Sequence, residues 1–275
     1  MKTDLRDITF VIPVRLDSVV RLENLIFSVQ SLIKHFNTQI MVLEAASYSN
    51  GVIKKMLGKK IEYMFLEDKD SVFYKTKYLN IMTRKTATPF MGIWDADIII
   101  PKEQIMDSIE KLRHSFDVAL PYDGRCYDTS FVIRELYTQN KSIQFLVRNK
   151  EKMSLIYGDK VVGGAVFVNK EEYIKAGMVS EKFYGWGPED FELYERLKIL
   201  DLKIHRSEGP LFHLTHSRSS NSAFRSMEQL ISTNKHRFSC TITTLKRFFL
   251  IVLNGLIINL IFIFQTKIFI AIRVY

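Results

Sequence analysis

The first half of the chain alternates apolar runs of two different periods, and that alternation restricts the fold more than any other feature. Residues 8–14 form a β-rich run. Behind it, Asp17 or Ser18 can cap a helix in which Leu22, Leu25, Ile26, Val29, Leu32, Ile33 and Phe36 fall on one face. Residues 40–43, 61–66 and 90–94 read as further strands, and residues 52–57 and 76–85 as helical segments between them. Strands separated by helices must be joined by crossovers, so the expected class is α/β with a mainly parallel sheet flanked by helices. Ligands of such sheets sit at the carboxyl ends of the strands.

The second half is less regular. A helix is expected over residues 101–114, a mixed segment over 129–148, a strand over 161–168 and a helix opening at Pro188. The 275 residues are ample for a buried core, and the expected division is a catalytic domain over 1–240 and an appendage over 241–275. Within the appendage, residues 248–264 are almost wholly apolar, slightly short of the roughly 20 residues that a membrane-spanning helix needs.

Charge points to the same end of the chain. The formal net charge is +9, and no acidic residue follows Glu228, whereas Lys235, Arg237, Lys246, Arg247, Lys267 and Arg273 do. Basic residues beside an apolar tail favour an anionic membrane surface over nucleic acid, for which no base-stacking motif is present. Cys126 and Cys240 form no spacing pattern, which fits a reducing compartment, and no signal peptide is read in residues 1–7.

Three short stretches carry residue types suited to chemistry. Trp94-Asp95-Ala96-Asp97 follows a buried strand, and paired carboxylates at a strand end can hold a hard divalent cation that neutralises a diphosphate. Tyr184-Gly185-Trp186-Gly187-Pro188-Glu189-Asp190 opens a helix, where Pro188 suits the first turn and the acidic pair suits the helix dipole. An indole there can stack on a sugar, and an ionised Asp190 can take a proton from a hydroxyl. Phe212-His213-Leu214-Thr215-His216-Ser217-Arg218 offers imidazoles to complete a metal site, but on a regular strand His213 and His216 would face opposite sides. Gly163-Gly164 marks either a tight approach to a ligand or a bulge.

In this order, from residue 8 to about residue 218, the motifs resemble those of inverting glycosyltransferases of the GT-A fold. The similarity is to the β4-galactosyltransferase family and related bacterial family-2 enzymes. Pro13-Val14-Arg15 matches a Pro-x-Arg motif beside the nucleotide, Glu44 an acidic residue that meets the uridine, and Lys77-Tyr78-Leu79-Asn80 part of an Ala-Lys-Leu-Leu-Asn helix. The resemblance implies Asp97 as metal ligand, with Asp95 and Gly164 at the nucleotide-sugar. It implies sugar stacking by Trp186, acceptor contact by Glu189 and general-base duty for Asp190. His216-Ser217-Arg218 matches a His-Ser-Arg that supplies the metal's histidine, which ranks His216 ahead of His213. Tyr184, Pro188 and Phe191 depart from the family pattern where donor and acceptor sugars meet.

The resemblance implies Mn2+ or Mg2+, a UDP-sugar donor of galactose or N-acetylgalactosamine type, and a glycan or lipid-linked glycan acceptor. The tail and thiols fit a bacterial enzyme of capsule or surface polysaccharide synthesis, at the inner face of the cytoplasmic membrane. A sugar-phosphate nucleotidyltransferase would need a glycine-rich loop after the first strand, and residues 11–17 contain no glycine. A catalytically dead, membrane-tethered sugar-binding protein would not need Asp95, Asp97 and Asp190 together.

Overall fold

A computed structural model describes residues 1–158, 160–185 and 187–217. Trp186, Arg218, Cys240 and the apolar tail lie outside the described residues. In chain order the elements open with β1 (Thr3–Val14), α1 (Val19–His35), β2 (Phe36–Ala46), α2 (Val52–Leu57), β3 (Glu62–Glu67), α3 (Lys75–Lys85), β4 (Phe90–Trp94) and β5 (Ile98–Ile99). They continue through α4 (Lys102–His114), β6 (Val118–Leu120), β7 (Cys126–Asp128), α5 (Phe131–Asn140), α6 (Ile143–Arg148) and β8 (Ser154–Leu155). The last are β9 (Ala165–Asn169), α7 (Lys170–Lys175), α8 (Glu189–Ile199), β10 (Ile204–Arg206) and β11 (Leu211–His213).

The larger sheet has the order β10-β6-β9-β4-β1-β2-β3. Every pairing in it is parallel except those of β9, which runs antiparallel to both β4 and β6. The expected parallel sheet is therefore correct for the crossover-linked strands. β9 breaks the rule because it enters at the carboxyl end of β4, with Ala165 opposite Trp94. The Gly163-Gly164 pair shortens it: a strand over 161–168 was expected, but Gly164 takes φ +85° and regular pairing starts at Ala165.

Ser18, not Asp17, caps α1, its Oγ accepting from the Arg21 N–H at 3.2 Å. Leu25, Val29 and Leu32 bury the apolar face of α1 against Phe10, Ile12 and Val42, with Trp94, Phe10 and Phe167 meeting edge-on or tilted within 6.0 Å. Phe36, placed on the helix by its periodicity, instead begins β2 opposite Thr3. On the other side of the sheet Val11, Leu43 and Met91 pack with Tyr78, Leu79 and Met82 of α3 and Leu193 and Leu197 of α8. No helix among the described residues is long and apolar enough to cross a membrane.

A second sheet, β5-β11-β7-β8, was not expected from the sequence. Its strands are too short to show a period. It matters for the site because β11 pairs antiparallel with β5, setting His213 opposite Ile98 and binding the Leu214 N–H to the Asp97 carbonyl at 2.8 Å.

Candidate active site

The carboxyl end of β4, the start of α1, the glycine pair before β9, the N-terminus of α8 and the end of β11 surround one cavity of about 630 Å³. Pro13, Arg15, Asp95, Asp97, Gly164, Glu189, Asp190, His213 and His216 all line it.

One wall is a cluster of metal-binding type. Ligand atoms of Asp97, His213 and His216 lie within 4.8 Å of one another. Asp97 Oδ2 is 3.1 Å from His216 Nε2 and 3.6 Å from His213 Nε2. Those separations suit neighbouring ligands around a cation with bonds of about 2.1 Å, whose adjacent donors stand roughly 3 Å apart. The opposite-faces expectation for the two histidines fails for a simple reason: β11 ends at His213, so strand alternation no longer governs His216. The turn after it is fastened by the Thr215 N–H to Thr129 Oγ1 at 2.9 Å. Asp128 Oδ1 sits 2.8 Å from His213 Nδ1, which fixes the ring and leaves Nε2 facing Asp97. Burial would raise the Asp97 carboxyl, but the two imidazoles outweigh it and hold it well below the usual range. Burial would likewise lower His213, yet the Asp97 and Asp128 carboxylates bring it up to about 10.

The opposite wall is organised by Lys75, whose Nζ lies 3.0 Å from Asp95 Oδ1, 3.6 Å from Asp190 Oδ2 and 3.8 Å from Glu189 Oε1. Burial alone would discharge this lysine, but the three carboxylates keep it strongly protonated. Burial and the Asp190 charge push Glu189 up to about 8, against the opposing pull of Lys75, and its Oε2 is buried without a hydrogen-bond partner. Asp95 is also raised, first by burial and then by Asp190 and Asp97, with Lys75 again opposing. Glu189 and Asp190 occupy the first turn of α8, where the helix dipole favours negative charge.

Backbone geometry completes the enclosure. The Asp95 N–H donates to the Gly164 carbonyl at 2.8 Å, and Gly163 lies against the Asp190 carboxylate, so the tight approach made by the glycine pair is to protein side chains. Arg15 donates from Nε to the Ala45 carbonyl at 2.8 Å and from Nη1 to the Asp70 carbonyl at 2.7 Å, tying β1 to the loop before α3.

Three of the expected donor contacts do not line the cavity. Glu44 is buried, and its carboxylate accepts from the Tyr63 hydroxyl at 2.6 Å. Asn80 is buried and donates to the Val179 carbonyl and to Glu181, both at 2.9 Å. Lys77 is exposed on α3. Lys75 takes the cavity position because residues three, four and seven beyond it are Tyr78, Leu79 and Met82, the buried face of the helix. That phase was readable in the sequence, and so was the place of Arg21 in the first turn of α1; neither residue was selected. Trp186 lies outside the described residues.

A family model described as the N-terminal domain of galactosyltransferase matches residues 147–219. β-1,4-Galactosyltransferase 7 of Mus musculus and of Homo sapiens are each 35% identical over 65 residues, 24% of this chain. The matched stretch spans about a fifth of the length of these curated relatives, 20% of each. Among solved structures, the catalytic domain of Drosophila β1,4-galactosyltransferase 7 in complex with xylobiose superimposes with TM-score 0.54. It is 15% identical, covering 84% of this chain and 79% of that one. The mannosyltransferase PcManGT from Pyrobaculum calidifontis, in complex with GDP-Man and Mn2+, gives TM-score 0.51 at 13% identity, over 78% of this chain and 58% of that one. With its carboxylates and imidazoles gathered at the strand ends, the chain has the GT-A glycosyltransferase fold, and over the stretch that carries Gly163, Glu189, Asp190 and His216 it resembles the β4-galactosyltransferases.

Proposed function

We propose that this protein is a metal-dependent inverting glycosyltransferase that moves a sugar from a nucleoside diphosphate to a hydroxyl of a glycan. The observation that carries this reading is the facing of two unlike walls across one cavity: a cation-binding cluster on one side, and a carboxylate at a helix N-terminus on the other.

Asp97, His213 and His216 would hold the cation, which would neutralise charge developing on a leaving diphosphate. Two imidazoles and one carboxylate favour Mn2+ over Mg2+, since Mg2+ prefers an all-oxygen shell. Asp190 accepts the proton of the acceptor hydroxyl as its oxygen bonds to the anomeric carbon and the bond to the diphosphate oxygen breaks. With one base and a single displacement, configuration inverts. Lys75 keeps the Asp190 and Asp95 carboxylates apart from each other's charge, and Glu189 offers its unpartnered oxygen to an acceptor hydroxyl.

The donor we favour is a UDP-sugar of galactose or N-acetylgalactosamine type, and the acceptor a surface or capsular glycan, free or lipid-linked. The galactosyltransferase match supports the galactose type, while xylobiose in one neighbour and GDP-Man with Mn2+ in the other support only the coarser reading of a sugar acceptor and a nucleotide-sugar donor with a metal. We place the protein at the inner face of a bacterial cytoplasmic membrane through the basic, apolar residues 241–275. Removing that segment should release the protein from membranes; an unchanged membrane fraction would refute the attachment.

The decisive test of activity is a donor panel with Mn2+, reading release of nucleoside diphosphate with and without a glycan acceptor. One donor turned over above the rest identifies the sugar. No turnover of any donor, by a protein that binds Mn2+ and is folded, overturns the reading.

A further inference from the structure

The cavity wall against Asp190 is made by residues 161–164, which belong to neither helix nor strand. Carbonyls in such a stretch need donors from elsewhere, because no ladder of regular structure supplies them. Three of the four have one, each from a different part of the chain. Arg206 Nη1 donates to the Val161 carbonyl at 3.1 Å, the Tyr122 hydroxyl to the Gly163 carbonyl at 2.6 Å, and the Asp95 N–H to the Gly164 carbonyl. Tyr122 is fully buried, and burial raises its hydroxyl far above the usual tyrosine range, so it stays a donor.

β10 runs parallel to β6, which sets Arg206 opposite Leu120, two residues before Tyr122. There the guanidinium lies 5.6 Å over the Tyr122 ring, and Nη1 also reaches the Tyr122 carbonyl at 3.3 Å. The same guanidinium stands 5.9 Å from the ring of Tyr194, one turn beyond Asp190 on α8. One cation therefore braces both sides of the Gly163–Asp190 contact: the glycine segment through Val161 and Tyr122, and the helix through Tyr194. Neither Tyr122 nor Arg206 lines the cavity. A Cβ at Gly163 has no room beside the Asp190 carboxylate, so a shift of this segment must either push that carboxylate or withdraw its support. We infer that Tyr122 and Arg206 are positioning residues for proton transfer: they fix the backbone of Gly163 and, through it, the place of the Asp190 carboxylate. This rests on the glycosyltransferase reading above, and it ties the pair to the acceptor step rather than to donor or cation binding.

The test uses the full chain with Tyr122→Phe, Arg206→Met, Arg206→Lys and Gly163→Ala, and with Tyr122→Phe and Gly163→Ala combined. kcat and KM are measured with Mn2+ and the preferred donor, and calorimetry with Mn2+ follows UDP and GDP on the same preparations. Tyr122→Phe removes a single oxygen and is expected to lower kcat about tenfold, with diphosphate affinity unchanged. Arg206→Met should do likewise, and Arg206→Lys, which keeps a charge over the two rings, should fall between it and the parent. Should Arg206→Met not fold, Tyr122→Phe and the combined variant carry the test. Freed from the Tyr122 hydroxyl, an alanine at position 163 can retreat from Asp190, so the combined variant should lose less than the product of the two single losses. A merely structural role gives losses that multiply and that follow the melting temperature. Parental kcat in Tyr122→Phe, a matching loss of diphosphate affinity, or losses that multiply in the combined variant overturns the assignment. If the unaltered protein turns over no donor, the glycosyltransferase reading itself has failed and the assignment falls with it.

Discussion

Gly163 and Asp190 lie so close that a Cβ on Gly163 would overlap Oδ2 of Asp190 and come within 3.0 Å of its Cγ. The glycine ahead of β9 is thus the surface on which the proposed base rests. Gly163→Ala should displace the carboxylate while leaving both sheets intact. Turnover is expected to fall about tenfold or more with nucleotide affinity preserved, as misplacement of a reacting group by a fraction of an ångström to one ångström predicts. Unchanged kcat would mean that Asp190 tolerates the shift.

Asp190→Asn removes the proton acceptor and keeps the shape. A fall in turnover of about a hundredfold or more is expected, with nucleoside diphosphate binding unaltered. Calorimetry and steady-state kinetics on the same preparation separate the two effects. Parental turnover would exclude Asp190 as the base.

The geometry places both histidines as candidate ligands beside Asp97, and if both ligate, His213→Ala and His216→Ala should each weaken Mn2+ binding by about a hundredfold or more. Asp128→Asn, altering the partner of the far nitrogen of His213 and of the Thr215 hydroxyl, should cost about tenfold. Metal titration would refute the paired assignment if His213→Ala bound Mn2+ as the parent does.

Glu189 holds its proton more firmly when folded, with its carboxyl raised from 4.5 to about 8. Its contribution to stability is full below about pH 4.5, where both states are protonated, and is lost as pH rises through about 8. The loss is on the order of a few kcal/mol for so buried a group. Glu189→Gln cannot ionise. Its melting temperature should match the parent's near pH 4.5 and exceed it increasingly up to pH 9. Parallel melting curves across that range would show that Glu189 titrates normally.

Lys75→Met strips the shared cation from three carboxylates. Destabilisation on the order of 3 kcal/mol is expected at pH 8, shrinking at pH 5 as Glu189 takes up a proton. A pH-independent loss would point to packing of the lysine stem instead.

Legibility of the fold followed the range of the signals. The Ile12, Val42 and Trp94 strands and the α1 helix were readable because each element's apolar period is contained in its own residues. β6, β7, β8, β10 and β11 were not, since two or three residues cannot express a period and their pairing depends on partners far along the chain. Within the site, Asp97, Glu189 and Asp190 stood out as carboxylates beside strand and helix ends. Lys75 was passed over for Lys77, though the helical phase of Tyr78, Leu79 and Met82 places Lys75 toward the cavity.

The sequence by itself determined the α/β class, the strand end at Trp94 that presents Asp95 and Asp97, and the acidic first turn of α8, because propensity, capping and apolar period act over a few residues. Only the tertiary structure decided that His213 and His216 both reach Asp97, that Asp128 fixes one ring, and that Lys75 joins three carboxylates. Those contacts depend on β11 closing onto β5 and on α8 docking beside α3. Such long-range pairings are set by the packing of the whole core, which no local stretch encodes.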